Sequence, residues 1–258
     1  MTLLIARALS IGYGDTLVAA GLDMEVKAGS VTCLLGPNGI GKTTLFKTLL
    51  GLIRPLAGTV EVSGQNLSTL DRQSIARQIA YVPQAQIAEF PYTVIDLVVM
   101  GRTSHLGPFQ GPRPEDYEAA MTALDQLGIA ALAQRDSTRI SGGQRQLVLI
   151  ARALAQQTRI VLMDEPTASL DLGNRIRVLD QIRALAAGGL AVVVSTHEPE
   201  HAFLVADRVA IIGGPHRFKT GPVAAIMTSA ELSDLYGTDL VVETTASGRF
   251  VVGATPKP

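Results

Sequence analysis

The chain has 258 residues, which is enough for one large domain or two small ones with an ample hydrophobic core. Its 22 basic residues nearly balance its 23 acidic ones, so the net charge gives no argument for a nucleic-acid partner. The longest apolar runs, such as 190–194, have the length of a strand and fall far short of the roughly 20 residues of a membrane-spanning helix.

Four apolar segments lie between stretches of helical periodicity, which predicts an α/β core with a mainly parallel sheet. These segments are 31–35, 160–163, 190–194 and 208–212. Three shorter alternating segments near the N-terminus predict an antiparallel β subdomain added to that core. They are 3–8, 22–26 and 58–62.

Between about residues 91 and 156 the strand signals vanish, and apolar residues recur at helical spacing in 115–127 and 142–155. This pattern predicts a helical subdomain inserted into the core, with Pro114 in the first turn of one of its helices. A short tail, about 222–258, completes what is predicted to be a single domain spanning 1–258.

A glycine-rich loop follows the first apolar segment and precedes a helical one. It reads Gly36-Pro37-Asn38-Gly39-Ile40-Gly41-Lys42-Thr43-Thr44. Two spaced glycines followed by lysine and a hydroxyl residue are typical of a loop whose N–H groups bind phosphate oxygens. Lys42 is expected to reach the β- and γ-phosphates and Thr43 to bind Mg²⁺. The alternative is a glycine turn that caps a helix without a ligand.

Two carboxylates, Asp164 and Glu165, end the apolar segment that begins at residue 160. Parallel strands carry their carboxyl ends at one edge of the sheet, so both acids are expected near the glycine-rich loop. Asp164 is predicted to hold Mg²⁺, mainly through a water, and Glu165 to activate the attacking water as general base. A solvated acidic turn is the alternative.

A second anion site is predicted where Ser141 precedes an apolar-periodic helix. Ser141 is expected to cap that helix, whose first N–H groups then remain exposed. The segment reads Ile140-Ser141-Gly142-Gly143-Gln144. Taken alone, it is also compatible with an ordinary helix start.

With the glycine-rich loop, the Ser-Gly-Gly-Gln segment and the Asp-Glu pair in this order, the chain resembles the ATP-binding subunits of ABC transporters over nearly its whole length. Residues 140–144 resemble the family signature. Ile140 stands where a leucine is usual, and Ile40 where a small residue is common. Neither departure removes a polar atom, so we expect activity to survive.

The resemblance implies ATP and Mg²⁺ as ligands and adds four site residues. Tyr13 is expected to stack on adenine, and Gln84 to contact Mg²⁺ and the attacking water. Asp171 belongs to a loop that crosses between subunits, and His197 contacts the γ-phosphate. In isolation these would be read as a loop aromatic, a surface amide, a helix cap and a strand-end histidine.

The resemblance also implies a homodimer. If the signature segment faces away from its own phosphate loop, two copies must enclose two ATP molecules in a C2 arrangement. Ser141 and Gly143 of one copy would complete the phosphate site formed by Lys42, Gln84 and His197 of the other. All motifs are intact, which predicts two working sites.

Two membrane permease subunits are the implied partners, with residues 84–94 as the contact region and a substrate-binding protein involved indirectly. Segments 97–107 and 164–174 resemble importers of iron–siderophore complexes, haem and vitamin B12. Molybdate importers are a related alternative. The implied location is the cytoplasmic face of the inner membrane, held there through the permease.

Three rival functions are weighed. Residues 197–201 match the zinc-protease pattern His-Glu-x-x-His, but Pro199 disfavours the single helix which that chemistry needs, and is expected to open a new helix after His197. An ABC-type ATPase of iron–sulfur cluster assembly would lack a membrane partner. A kinase using the same loop would need an acceptor site, for which the sequence gives no signal.

Overall fold

The computed structural model describes residues 1–84, 91–107 and 109–254. Its strands, in chain order, are β1 Thr2–Tyr13, β2 Thr16–Lys27, β3 Val31–Leu35, β4 Ala57–Val62, β5 Gln65–Asn66, β6 Ile79–Val82, β7 Ile160–Asp164, β8 Ala191–Thr196, β9 Arg208–Ile212, β10 Phe218–Pro222, β11 Leu240–Thr244 and β12 Phe250–Ala254. Its α-helices are α1 Lys42–Leu49, α2 Arg72–Ala76, α3 Val94–Val99, α4 Pro114–Gln126, α5 Gly142–Ala155, α6 Leu172–Ala187, α7 Pro199–Val205, α8 Val223–Ile226 and α9 Ser229–Tyr236. Within the described residues, 3₁₀ turns lie at Leu67–Thr69, Met100–His105, Ala130–Leu132 and Ser137–Arg139.

The central sheet has six strands in the order β10-β9-β3-β8-β7-β6, parallel except for β10. Strands β3, β7 and β8 are buried throughout, since helices and a second sheet cover their two faces. The four predicted core strands are confirmed. Strands β6 and β10 were not predicted, because β6 has only four residues and β10 carries lysine, glycine and proline at the sheet edge.

The predicted antiparallel subdomain is confirmed as a sheet in the order β2-β1-β4-β5. Strands β1 and β2 are twelve residues each, longer than the sequence indicated. The register shifts between Ala6 and Leu9, where Ala8 has a φ of 45° and its N–H donates to Asp23. This irregularity interrupts the alternation of apolar and polar residues along β1, which is why the sequence pattern predicted too short a strand.

Two hydrophobic cores lie on opposite faces of the central sheet. One joins the sheet to the antiparallel subdomain and buries Phe46 of α1 completely. The other packs α3, α4, α5, α6 and α7 against the opposite face and includes Cys33. Burial raises the pKa of the Cys33 thiol to about 12, so this side chain stays protonated at neutral pH, as expected of a core residue.

The helical region contains α3, α4 and α5, and α5 has the predicted bounds 142–155. Pro114 occupies the first turn of α4, as predicted. A buried ion pair between Arg102 and Asp116, with 2.9 Å between Nε and Oδ1, ties the 3₁₀ turn before α4 to that helix. The same guanidinium donates to the carbonyl of Ala155 at 2.9 Å, which fixes the end of α5.

The C-terminal segment consists of α8, α9 and the hairpin of β11 and β12. The hairpin packs against α7, where the rings of Phe203 and Phe250 stack with centroids 4.7 Å apart. None of the helices in residues 1–84, 91–107 and 109–254 has the length and apolar character that a bilayer span requires.

Candidate functional site

The loop between β3 and α1 lies tightly between two strands that belong to different sheets. A Cβ built on Gly36 would lie 2.4 Å from the carbonyl oxygen of Ile212 in β9. One built on Gly41, which has a φ of 116°, would lie 2.3 Å from Val18 Cγ1 in β2. Only glycine fits at these two positions without displacing a neighbour. The glycines therefore fix the path of the loop, which leads its N–H groups toward the start of α1.

Lys42, the first residue of α1, is almost completely buried. Its Nζ donates to the carbonyl of Gly36 at 2.7 Å and to that of Pro37 at 3.1 Å. The third neighbour is the Glu165 carboxylate, with 3.1 Å between Nζ and Oε1. The ammonium is thus held by the loop itself and faces the acidic pair at the tip of β7.

Asp164 ends β7 with a carboxylate that accepts three hydrogen bonds. Oδ2 lies 2.7 Å from the Thr43 hydroxyl and 3.2 Å from that of Tyr81, and Oδ1 lies 2.5 Å from the Ser195 hydroxyl. Burial, together with the adjacent Asp164 charge, raises the pKa of Tyr81, so its phenol remains a donor. These bonds fix Asp164 beside the hydroxyl of the glycine-rich loop.

Glu165 follows in the left-handed region, with a φ of 46°. Its N–H donates to the Ser195 hydroxyl at 2.9 Å, which holds the peptide between Asp164 and Glu165 at the edge of the sheet. The side chain, 13% exposed, lies between two basic groups. Oε2 is 3.2 Å from His197 Nδ1, and Oε1 faces Lys42. The carboxylate is therefore oriented from both sides at the rim of the loop.

A cavity of about 330 Å³ opens where these groups meet. Its lining combines the glycine-rich loop, the strand-end acids and one amide: Asn38, Gly39, Gly41, Lys42, Thr43, Thr44, Gln84, Asp164 and Glu165. The structure thus brings most of the predicted phosphate and catalytic residues of one chain to a single place.

Other predicted residues lie elsewhere. Tyr13 is half exposed at the end of β1. Ser141 caps α5, as predicted: its hydroxyl accepts from the Gln144 N–H at 3.2 Å, and Gln144 accepts from the Ser141 N–H at 3.0 Å. Gly143 packs against Asn174, and Asp171 caps α6. Ser141, Gly142 and Asp171 are exposed, on a surface apart from the chain's own cavity.

The His-Glu-x-x-His segment is divided between two elements, as the sequence predicted. His197 follows β8, and Pro199 opens α7. His201 is buried in α7, where its Nδ1 lies 3.2 Å from the Thr196 hydroxyl. Burial lowers the pKa of His201 and favours the neutral ring. His197 instead faces Glu165, so the two histidines do not share one helix face as the zinc-protease pattern requires.

Two site residues received no role from the sequence. Ser195 bonds both Asp164 and Glu165, and Tyr81 bonds Asp164. Ser195 carried a usable signal: it is a polar residue after three valines, and it stands opposite Asp164 in the register of β7 and β8. Aligning the carboxyl ends of the two predicted strands would have placed Ser195 beside Asp164.

Comparisons with known proteins identify the family to which the chain belongs. Residues 19–168 match the family model described as ABC transporter. The molybdate import ATP-binding protein MolC of Haemophilus influenzae is 39% identical over 216 residues, covering 83% of this chain and 80% of MolC. The "Probable iron chelatin transport ATP-binding protein" of Helicobacter pylori is 36% identical over 236 residues, covering 91% of this chain and 92% of its own length.

Among solved structures, an ABC transporter assigned to the metal-chelate type, in an inward-facing conformation, superposes with a TM-score of 0.87 at 35% identity. The superposition covers 100% of this chain and 98% of the other. The match to the family model, the long alignments and the shared fold lead to one conclusion. The chain belongs to the ABC transporter family as an ATP-binding, ATP-hydrolysing protein.

Proposed function

We propose that this chain powers an importer of iron complexes or similar metal chelates, as a homodimer bound to two membrane permease subunits. The observation that carries the catalytic part is the Glu165 carboxylate, held 3.1 Å from Lys42 and 3.2 Å from His197 at the rim of the phosphate cavity. The names of the relatives and the metal-chelate structure support the choice of cargo.

In this proposal Glu165 takes the proton from a water that attacks the γ-phosphate, and ADP and phosphate are released. Lys42 and the N–H groups of residues 36–44 bind the phosphate oxygens, and His197 contacts the γ-phosphate. Gln84, on the cavity lining, positions the water. Tyr13 stacks on the adenine ring at the exposed end of β1.

Mg²⁺ fits the donor set beside this cavity. The hydroxyl of Thr43 and the carboxylate of Asp164 lie 2.7 Å apart, and both present oxygen, the ligand type that this cation prefers. Thr43, Asp164 and Gln84 are the residues proposed to hold it. When bound, the ion offsets the charge of the β- and γ-phosphates.

The dimer proposal is supported by an exposed surface that lies apart from the cavity. Ser141 and Gly142 are exposed at the tip of α5. On the neighbouring α6, Leu172 and Ile176 are 70% and 46% exposed and stand one helical turn apart. Large apolar side chains in such positions favour a surface that a partner covers. Ser141 and Gly143 of one copy would then reach the phosphate cavity of the other.

The dimer is tested by sizing the Glu165→Gln variant with and without ATP and Mg²⁺. We expect a monomer without nucleotide and a dimer with ATP, because the variant binds ATP but does not hydrolyse it. A Leu172→Asp/Glu165→Gln double variant, which adds a charge to the proposed interface, is expected to bind ATP and remain monomeric. A monomer of Glu165→Gln under both conditions contradicts the homodimer.

A groove between the core and the helical region is the proposed permease site. This cavity of about 590 Å³ is lined by apolar side chains that include Leu52, Ile75 and Met100. Leu52 is 61% exposed and Met100 is 43% exposed. Within the predicted contact region 84–94, residues 85–90, including Phe90, lie outside the described residues. The chain would thus sit at the cytoplasmic face of the membrane.

The permease proposal is tested by capturing a tagged copy from a detergent extract and identifying the membrane protein that accompanies it. We expect a permease subunit with the wild-type chain, much less with Leu52→Asp, and an unchanged amount with Leu204→Asp, an exposed position outside the groove. Capture without any membrane protein favours the cluster-assembly ATPase. Cellular uptake of an iron chelate and of molybdate, measured separately, then distinguishes the two cargo classes.

A further inference from the structure

The backbone on both sides of His197 is held by hydrogen bonds. The carbonyl of Thr196 accepts from the N–H of Gly36 at 3.3 Å, which ties the preceding peptide to the phosphate loop. The carbonyl of His197 accepts from the hydroxyl of Tyr236 at 2.7 Å. The N–H of Glu198 also donates to the Thr196 hydroxyl at 3.0 Å. With both peptide groups fixed, the direction of the His197 Cα–Cβ bond is fixed as well.

Tyr236 comes from a distant part of the chain. It is the last residue of α9, where Gly237 ends the helix with a φ of 65°. Its ring packs against the core that contains Cys33. Burial, with smaller contributions from Cys33 and Glu198, raises the pKa of Tyr236. The phenol therefore remains a donor at physiological pH.

The residues that follow Tyr236 fold back on α9 through their own contacts. The Ser233 hydroxyl accepts from the Leu240 N–H at 2.8 Å and lies 3.1 Å from the Leu240 carbonyl oxygen. These bonds join α9 to β11, and the stacking of Phe250 on Phe203 joins the hairpin to α7. A cavity of about 360 Å³ lies beside the bond of Tyr236 to His197. It is lined by His197, Glu198 and Tyr236, and also by Thr238, Leu240 and Val252 of the C-terminal segment.

We propose that Tyr236 is a positioning residue for ATP hydrolysis, through which the C-terminal segment sets the orientation of His197. The inference rests on the proposed role of His197 at the γ-phosphate. The His197 imidazole already lies 3.2 Å from Glu165, so a rotation of its peptide shifts a group that contacts both the base and the phosphate. Loss of the Tyr236 bond leaves that peptide held, among the described residues, only by the bond from its N–H to the Thr196 hydroxyl, and it removes no group that touches ATP.

The direct test compares Tyr236→Phe with Ser233→Ala in the full-length protein. Tyr236→Phe keeps the ring and its packing and removes only the hydroxyl. Ser233→Ala removes hydrogen bonds within the same segment but none to His197. We expect Tyr236→Phe to lower kcat for ATP about three- to tenfold, the usual effect of one hydrogen bond, with KM nearly unchanged. Ser233→Ala should keep the wild-type kcat.

A second comparison separates positioning from a general structural defect. In a His197→Ala background the Tyr236→Phe change should have no further effect on the residual rate, because the residue that it positions is gone. The NMR signals of the His197 ring should move in Tyr236→Phe and stay in place in Ser233→Ala. These two measurements remain informative even where the thermal midpoint of a variant changes.

Three results would overturn the inference: a Tyr236→Phe kcat within about twofold of wild type, an equal loss in the His197→Ala background, or an unmoved His197 ring signal. None of them affects the proposed function, provided that Glu165→Gln slows hydrolysis by at least about 10²-fold in the same assay. A wild-type rate in Glu165→Gln would instead refute the catalytic proposal itself.

Discussion

Replacement of Glu165 by glutamine should slow ATP hydrolysis by about 10²–10⁴-fold and leave ATP affinity nearly unchanged. The amide keeps the size of the side chain but cannot take a proton from water. In the structure the carboxylate lies between Lys42 and His197, and its own N–H is fixed by Ser195. The backbone path therefore persists in the variant, which loses the proton acceptor and the negative charge beside Lys42.

Release of phosphate under saturating ATP measures the rate, and calorimetric titration with ATP measures the affinity. Glu200→Gln is the matched control, since Glu200 is exposed on α7 and lies outside the cavity lining. It should retain the wild-type rate. A Glu165→Gln turnover close to that of wild type would show that another group accepts the proton.

Replacement of Lys42 by methionine should weaken ATP binding by about 10–10²-fold, in contrast to the change at Glu165. Hydrogen bonds from a charged donor contribute about 1.5–3 kcal/mol each, and the ammonium is the only cationic side chain that lines the cavity among the described residues 1–84, 91–107 and 109–254. Methionine matches the length and apolar stem of lysine, so the loss reports on charge. Titration with ATP measures the effect.

Lys47→Met is the control for Lys42→Met, because Lys47 lies on the same helix but is absent from the cavity lining. It should bind ATP like the wild-type protein. Lys42→Met also leaves Glu165 without its cation, at a cost of about 1–3 kcal/mol in unfolding free energy. The double variant Lys42→Met/Glu165→Gln should regain part of the lost unfolding free energy, because no unpaired carboxylate remains. Unchanged ATP affinity in Lys42→Met would contradict its role.

Local patterns predicted the elements that form the phosphate site. The apolar run before Gly36 and the glycines after it dictate a strand, a tight loop and a helix, all within 31–49. Ser141 and Gln144 likewise form the predicted helix cap from neighbouring residues. Short-range rules were sufficient because each of these features depends on sequence neighbours alone.

Contacts between distant residues were not predictable in the same way. The bond of Ser195 to Asp164 spans 31 residues, and that of Tyr236 to His197 spans 39. Both depend on which strands become neighbours and on how the C-terminal segment folds back. Strand β6 was missed for a related reason: its four residues become a strand because β7 pairs with them, rather than through their own pattern.

The contact between Gly143 and Asn174 gives the proposed dimer a route of communication inside each chain. A Cβ on Gly143 would lie 2.4 Å from Asn174, whose side-chain amide donates to Asp171 at 2.7 Å. The tip of α5 and the beginning of α6 are therefore in direct contact. In the proposed dimer, Ser141 faces the partner's nucleotide, so a displacement of Ser141 would be passed through Gly143 and Asn174 to the Asp171 loop of the same chain.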